Sequence, residues 1–465
     1  MNAWALLPAF GTPAGELARA ALVAVGLIAL LGAAEAWKRI AHPPVEWTRK
    51  LVHVSGGVVS GTFPWLFATH WTVLLLGVSS FSILAVAKRL GWISSVTGVE
   101  RRSTGELLFP FAVYLLFAIA HGQPVFYLIA LSALVFADTA AALLGSAYGR
   151  HTFMVGEDRK SLEGSAAFLL VTFLAVHLVL LLAAGTEPAA SVLIAAQMAL
   201  LVTAFEAISM RGNDNLIVPL MTYYLLVKLT HNTWQGIALQ LLVQLGLLAG
   251  MILLASRTRF LTLAGAIAAH LTLYAAFSLG GPTWIVAPLL TLVGFLWFQA
   301  VAPPGQDESG PRHEVRQVFY VTIVPVLLLF LDNSFASFAA KGHPLGSHHP
   351  FFVPFVGAFT ATLSIVGFRA LRRRRLPRAS AAALAGVLAW AAVAPAALWV
   401  GPRGGGLAFA VSALTCLLAL VLYLAGRRLF HPQPATKWDL RLQALCVALA
   451  AGAGLPFAIA AAVAP

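Results

Sequence analysis

The sequence predicts an all-α, polytopic transmembrane protein of about 16 spans, and three observations carry that prediction. Of 465 residues, 60% are apolar and only 10% are charged, with a mean hydropathy of +0.87. Soluble globular chains run at roughly 45–50% apolar and about 25% charged, so most helices here have no polar face to turn to water. Apolar runs long enough to cross a bilayer, about 20 residues each, recur from one end of the chain to the other. Finally, the basic residues fall between these runs with a regular alternation. Together these features exclude a water-soluble enzyme, a disordered chain and a disulfide-framed secreted domain. Cys416 and Cys446 both sit inside apolar runs and form no metal-binding pair motif.

In chain order, the runs predict spans near 17–35, 51–69, 71–87, 107–121, 124–145, 164–184, 189–209 and 215–231. A second set is expected near 235–255, 260–280, 283–302, 317–333, 351–368, 380–400, 406–425 and 442–463. The first twenty residues lack a basic leader segment, so the first run is expected to stay as a helix.

With the N-terminus outside, the inner loops and helix ends collect 26 of the 30 Lys and Arg residues, leaving Arg19, Lys228, Lys341 and Arg403 outside. This bias is the positive-inside signature, and it accounts for the net charge of +13 without nucleic acid as a partner. The basic face can instead hold anionic lipid headgroups. The expected location is a bacterial inner (cytoplasmic) membrane, with the polar chemistry on the cytoplasmic side.

Acidic residues are distributed differently. Ten of the 17 lie between Glu35 and Asp214, at expected inner loops or inner helix ends, and the second half is nearly bare. The chain therefore divides into a chemical half, 1–234, and a mostly apolar half, 235–465.

Four clusters in the first half carry candidate chemistry. In residues 135–168, Asp138 lies near the end of an apolar helix, where a carboxylate costs a few kcal/mol unless paired and commonly marks a site. Ala137, Ala141 and Gly145 repeat at four-residue spacing and would let a neighbouring helix approach closely. Arg159 and Lys160 then precede Ser161, which can cap the next helix, and Glu163 and Gly164 open it. Cations beside a helix N-terminus suit phosphate, and Glu163 could face a cation or metal.

The second cluster, 100–110, holds Arg101, Arg102 and Glu106; the last is a helix-initiating acid or a site residue. The third, 210–220, places Asn213, Asp214 and Asn215 at the mouth of an apolar helix, as a turn or as ligands for a metal or polar headgroup. The fourth, 46–57, carries Arg49, Lys50 and His53 on one helical face, His53 being either structural or site-facing. All four clusters fall on the same expected side of the membrane.

These residues resemble the dolichol kinase/phytol kinase family, membrane enzymes similar to CDP-diacylglycerol synthases. The resemblance rests on RKLVHVSGG (49–57), RRSTGELLFP (101–110), ADTAAALLGSAYGRH (137–151), RKSLEGSAAF (159–168) and NDNLIVPL (213–220), and covers about residues 35–230. It implies transfer of the γ-phosphate of CTP, or another nucleoside triphosphate, to an isoprenoid lipid alcohol such as phytol, dolichol or a polyprenol, with Mg2+ required. Carried over by position, Asp138 is the metal-binding or catalytic carboxylate and Asp214 the second catalytic carboxylate. Arg159, Lys160, Ser161, Glu163 and Gly164, with Arg101 and Arg102, form the nucleotide site, Glu163 sharing the metal with Asp138. His53, Glu106, Asn213 and Asn215 complete the substrate cavity. A cytidylyltransferase acting on a lipid phosphate, or a lipid transporter, is the alternative. Residues 259–284 resemble a membrane family that includes phytyl-phosphate kinases, but the acids such chemistry needs are missing downstream. The second half is therefore expected to be non-catalytic.

Overall fold

The computed structural model describes residues 12–91, 104–258, 260–301, 314–339, 349–400, 405–431 and 436–463. The chain is almost entirely helical and divides into two compact units, Met1–Leu242 and Val243–Pro465. It is a multi-pass membrane protein.

The first unit runs α1 (Pro13–Ala41), α2 (Val45–Gly61), the single turn α3 (Phe63–Leu66), α4 (His70–Leu90), α5 (Gly105–Ile119) and α6 (Pro124–Tyr148). A short antiparallel hairpin, β1 (Thr152–Val155) and β2 (Asp158–Ser161), leads into α7 (Leu162–Ala183), α8 (Pro188–Ile208) and α9 (Asp214–Thr230). The chain continues with α10 (Trp234–Arg257). Then follow α11 (Leu263–Gly280), α12 (Val286–Val301), α13 (Val315–Ala339), α14 (Phe352–Arg373), α15 (Arg378–Val393), α16 (Gly405–Phe430) and α17 (Lys437–Val463).

Among the described residues, twelve helices are long and apolar enough to span, which corrects the expected count of about 16. The four expected spans that fall short are α2, α5, α9 and α12, at 17, 15, 17 and 16 residues. At 1.5 Å per residue they reach about 23–26 Å, less than the ~30 Å hydrocarbon core. Three of them carry the polar clusters. The helix expected from residue 51 begins at Val45, directly after Pro43 and Pro44, so Glu46, Arg49 and Lys50 are helical. The stretch expected as a turn-rich loop after Gly149 folds instead as the hairpin. Its two-residue turn has Gly156 at φ 62° and Glu157 at negative φ, the arrangement in which glycine leads.

Small residues set the closest helix contact. A Cβ on Gly164 of α7 would lie 2.9 Å from the Ala141 carbonyl oxygen and 3.3 Å from the Gly145 Cα. The Ala141/Gly145 stripe on α6 therefore receives α7 at near backbone contact.

In the second unit α14 is the central helix, buried almost without interruption from Phe352 to Leu371. Trp284 stacks edge-on against Phe352 at 4.9 Å and tilts over Phe355 at 4.7 Å. Asp332 of α13 accepts hydrogen bonds from His349 Nδ1 at 2.7 Å and Phe351 N at 3.1 Å, which ties the entry to α14. The two cysteines are buried and unpaired with each other.

Back in the first unit, Glu16 on α1 is buried and accepts three hydrogen bonds from the α3–α4 turn: Ala68 N at 2.8 Å, Thr69 Oγ1 at 2.8 Å and Thr72 Oγ1 at 2.7 Å. Arg19 Nε donates to the Leu66 carbonyl at 2.9 Å. Replacing Glu16 with alanine orphans these donors at a cost of about 1–3 kcal/mol. The expected outcome is a lowered thermal midpoint in detergent for Glu16→Ala. Arg39→Ala, which removes only the exposed Arg39–Glu35 pair, should leave the midpoint near wild type.

Candidate active site

Four helices of the first unit begin at one place. The N-terminal turns of α2, α5, α7 and α9 contribute Glu46, Glu106, Gly164 and Asp214 to the lining of one cavity of about 920 Å³. Helix N-termini carry partial positive charge and unpaired N–H groups, so four of them around one volume favour an anion. Lys50, Lys88, Arg159 and Lys160 line the same volume.

Asp138 sits on α6 immediately after a π-type turn over Ala133–Ala137, a widening of the helix that is frequent at functional sites. Its Oδ2 is ion-paired with Lys50 Nζ of α2, whose side chain is almost fully buried, and lies 3.7 Å from His53 Nε2. His53 Nε2 also donates to the Leu134 carbonyl at 3.2 Å, inside the widened turn. Both side-chain contacts of Asp138 go to Oδ2. Among the described residues none is made to Oδ1.

Lys160, at the end of β2, points inward. Its Nζ donates to the Glu206 carboxylate at 2.6 Å and also to the Glu206 backbone carbonyl, capping the last turn of α8. Burial alone would pull the Lys160 pKa down, but Glu206, with Asp214 and Asp138 behind it, outweighs that and raises it. Lys160 is therefore charged throughout the neutral range. Asp214, at the first position of α9, holds its own helix start through Asn215 N→Oδ1 at 3.0 Å; among the described residues it has no ion pair.

Loop hydrogen bonds lock these segments together. Arg211 and Gly212 adopt left-handed conformations at φ 56° and 84°, turning the chain from α8 into α9. Arg211 N donates to Asp158 Oδ2 at 2.6 Å, and its guanidinium meets Glu157 at 2.9 Å, joining the hairpin to this turn. Thr104 N donates to the Arg211 carbonyl at 3.0 Å, and Asn215 Nδ2 to the Gly105 carbonyl at 2.7 Å, joining α5 to α9. A Cβ on Gly105 would lie 2.9 Å from that Asn215 nitrogen and 3.3 Å from the Gly212 Cα, so a side chain here would crowd the contact between α5 and α9.

Of the residues expected at the site, the structure brings His53, Glu106, Asp138, Arg159, Lys160, Ser161, Gly164, Asp214 and Asn215 to this cavity. Ser161 caps α7, its Oγ accepting from Gly164 N at 3.1 Å. Glu106 is ion-paired with Lys88. Two residues are not brought there. Glu163 turns back to His151, accepting from its ring at 2.8 Å and its backbone N at 3.1 Å, which pins the hairpin to α7, and it is not among the residues that line the cavity. Asn213 is exposed in the turn before α9. Arg101 and Arg102 lie outside the described residues.

Lys88 and Glu206 are not among the expected site residues, and Lys50 is named in its cluster without a role. Glu206 has a signal in the sequence, since it is an acid inside an otherwise apolar run as Asp138 is in its own, and Lys50 stands one turn before His53.

The fold and cavity define a helical membrane protein with a charged, anion-favouring site built into one unit. No family profile matches the chain, and no solved structure does. The chain is 35% identical over 205 residues to the phytol kinase of Synechocystis sp., covering 43% of this chain and 88% of that protein. It belongs to the phytol kinase family, the membrane phosphotransferases of lipid alcohols.

The two inner ion pairs give a direct test of this geometry. Lys160→Met strands the buried Glu206 carboxylate and is expected to cost about 3–5 kcal/mol. The double variant Lys160→Met/Glu206→Gln should recover most of the lost thermal midpoint. Because the folded-state pKa of Lys160 is raised, its contribution is complete below the ordinary lysine value of about 10.4 and fades only as pH climbs past it. Deprotonation of Lys160 should thus add no step to the wild-type midpoint between pH 6 and 9.

Proposed function

We propose that the protein phosphorylates an isoprenoid lipid alcohol such as phytol with a nucleoside triphosphate, CTP being the expected donor, at the cytoplasmic face of a bacterial inner membrane. The observation that carries this reading is the cavity itself. It is charged at the helix N-termini and continues between α1, α2, α4 and α5 as an apolar arm lined by Leu27, Leu31, Leu76, Ile83, Leu84 and Val113. A polar end for phosphates joined to an apolar arm suits a lipid acceptor and a nucleotide donor at once.

The donor set also fits Mg2+. Such ions are held in kinases by one or two carboxylates together with substrate phosphates, and no dedicated cage is needed. Among the described residues no three-ligand cluster occurs, whereas Asp138 lines the cavity and its ion-pair contacts are both made through Oδ2. Asp138 would hold the ion, which when bound neutralises phosphate charge.

Arg159, Lys160 and the N-terminus of α7 hold the phosphates. Asp214, without an ion pair among the described residues, faces the acceptor. The alcohol oxygen attacks the γ-phosphorus, the bond from that phosphorus to the β–γ bridging oxygen breaks, and the hydroxyl proton passes to the Asp214 carboxylate. The products are the lipid monophosphate and a nucleoside diphosphate. Transition-state charge spreads over phosphoryl oxygens, so positioning and fixed cations supply most of the acceleration.

Purified protein with phytol, Mg2+ and radiolabelled nucleotides tests this. CTP is expected to raise the thermal midpoint more than ATP, GTP or UTP, and to yield CDP. Asp214→Asn should lower kcat by about 10²–10⁴-fold without moving the midpoint. Release of pyrophosphate would identify nucleotidyl transfer to a lipid phosphate and overturn the reading.

A further inference from the structure

We propose that the basic end of the second unit, where α14, α15, α16 and α17 meet, is a docking surface for the phosphates of anionic lipid headgroups. The proposal stands apart from the kinase reading and gives a partner to the half of the chain that does not carry the candidate active site.

From Phe351 to Pro465 the sequence holds eleven Lys and Arg residues and a single acid, Asp439. Ten of the eleven, all but Arg403, stand at this one end. Its geometry is fixed from within. Arg369 of α14 donates to Tyr423 of α16 at 2.9 Å and to Gln443 of α17, and meets Asp439 at 3.5 Å. Arg372 and Arg373 follow one turn beyond Arg369, and the Arg427 guanidinium lies 5.9 Å from the centre of the Tyr423 ring. Asp439 is fully buried and spends both oxygens on this network, so it neutralises nothing outside it. Arg373, Arg375, Arg378, Arg428 and Lys437 are all exposed, and among the described residues they form no ion pair. Beneath them the buried Gln443 leaves its Nε2 without a partner, so the unmet buried side-chain group at this end is a donor as well.

Helix electrostatics accounts for only part of this charge. A cation in the last turn of a helix is favourable, which covers Arg372 and Arg373 of α14 and Arg427 and Arg428 of α16. Two others run against local preference. Arg375 has φ 61°, the left-handed conformation that glycine adopts at least cost just after a helix. Arg378 is the first residue of α15, whose start has neither an acid in its first turn nor a capping side chain. There the helix dipole opposes a cation, and unpaired N–H groups add to the positive charge. An anion lying over the α14–α15 turn reverses both penalties.

The flanking side chains identify that anion as part of a bilayer. Leu429 and Phe430, directly after Arg428, are each 74% exposed, and Trp438, directly after Lys437, is 70% exposed. The Arg441 guanidinium lies 5.2 Å from the centre of the Trp438 ring, and its Nε donates to Tyr320 Oη of α13 at 3.2 Å. All four helices are long and apolar enough to span. At the ends of such helices, exposed apolar and aromatic side chains interleaved with cations mark the depth of the headgroups. Guanidinium forks at that depth match phosphate, and each cation adds about fivefold to the affinity for an anionic headgroup.

The test follows the thermal midpoint of the full chain in neutral detergent as phosphatidylglycerol or phosphatidylcholine is added. Phosphatidylglycerol should raise the midpoint and phosphatidylcholine should not, and the rise should shrink as salt goes from about 0.1 M to about 1 M. Arg375→Gln/Arg378→Gln/Lys437→Gln removes cations that neither cap a helix C-terminus nor pair with an acid. Its lipid-free midpoint should match wild type, while phosphatidylglycerol binding weakens by about 10²-fold. Removing three exposed cations elsewhere, Arg39→Gln/Arg89→Gln/Arg257→Gln, should leave that binding near wild type. A photoreactive phosphatidylglycerol on the unaltered protein, a measurement that needs no variant to fold, should label this end of α14–α17. The proposal is overturned by no shift from phosphatidylglycerol, by an equal shift from phosphatidylcholine, or by equal loss in the two triple variants. Labelling confined to the first unit, or a shift reproduced by inorganic phosphate or a short oligonucleotide, overturns it too.

Discussion

A buried charge in an apolar helical bundle must find its opposite, and two such pairings organise the first unit. Lys50–Asp138 joins α2 to α6, and Lys160–Glu206 joins the hairpin to α8. Each links segments far apart in sequence, by 88 and 46 residues. Leaving any one of these four groups alone in hydrocarbon costs several kcal/mol, so the pairings fix which helix ends come together. Once they do, Asp214 enters a space already ringed by cations and helix N-termini. Its charge is balanced by the surroundings as a whole, with no dedicated partner among the described residues. That asymmetry is what separates a site from a brace.

Helix length serves the same end. The helices bearing the clusters, α2, α5 and α9, have 15–17 residues, while the qualifying spans of this unit have 21–29. Acids in the first turns of these helices, Glu46, Glu106 and Asp214, complement their dipoles and line the same cavity.

Much of this was legible in the sequence. Apolar length announced the membrane, and the four polar clusters were visible as departures from it. The span count came out too high because an apolar run says nothing of where a helix starts: Pro43 and Pro44 begin α2 at Val45 and draw Arg49 and Lys50 into it. The hairpin was hidden by its brevity, four residues per strand, although Gly156–Glu157 is a turn-forming pair. Pairing was the least legible feature. Nothing local distinguishes Lys50 as the partner of Asp138 from the many cations nearby, and Glu163, which read as a metal ligand, is claimed by His151 across the hairpin. A close helix approach at α6, by contrast, was expected from Ala137, Ala141 and Gly145, although the neighbour, α7 at Gly164, was not.

The second unit supplies the comparison that sharpens this argument. It too buries a carboxylate, Asp439, fully shielded at the start of α17. There Tyr423 Oη donates to one carboxylate oxygen at 2.7 Å and Arg369 meets the other at 3.5 Å, while Arg369 also reaches Tyr423 at 2.9 Å and Gln443. Both oxygens of Asp439 are occupied, and the cation is shared among three acceptors, so this network ties α14, α16 and α17 and leaves neither carboxylate oxygen without a partner. Asp138 has the same burial problem and solves it with one oxygen only. Among the described residues its other oxygen has no recorded partner, and the residue lines a cavity. In a chain with few charges, the number of unused lone pairs on a buried carboxylate distinguishes chemistry from architecture better than burial does.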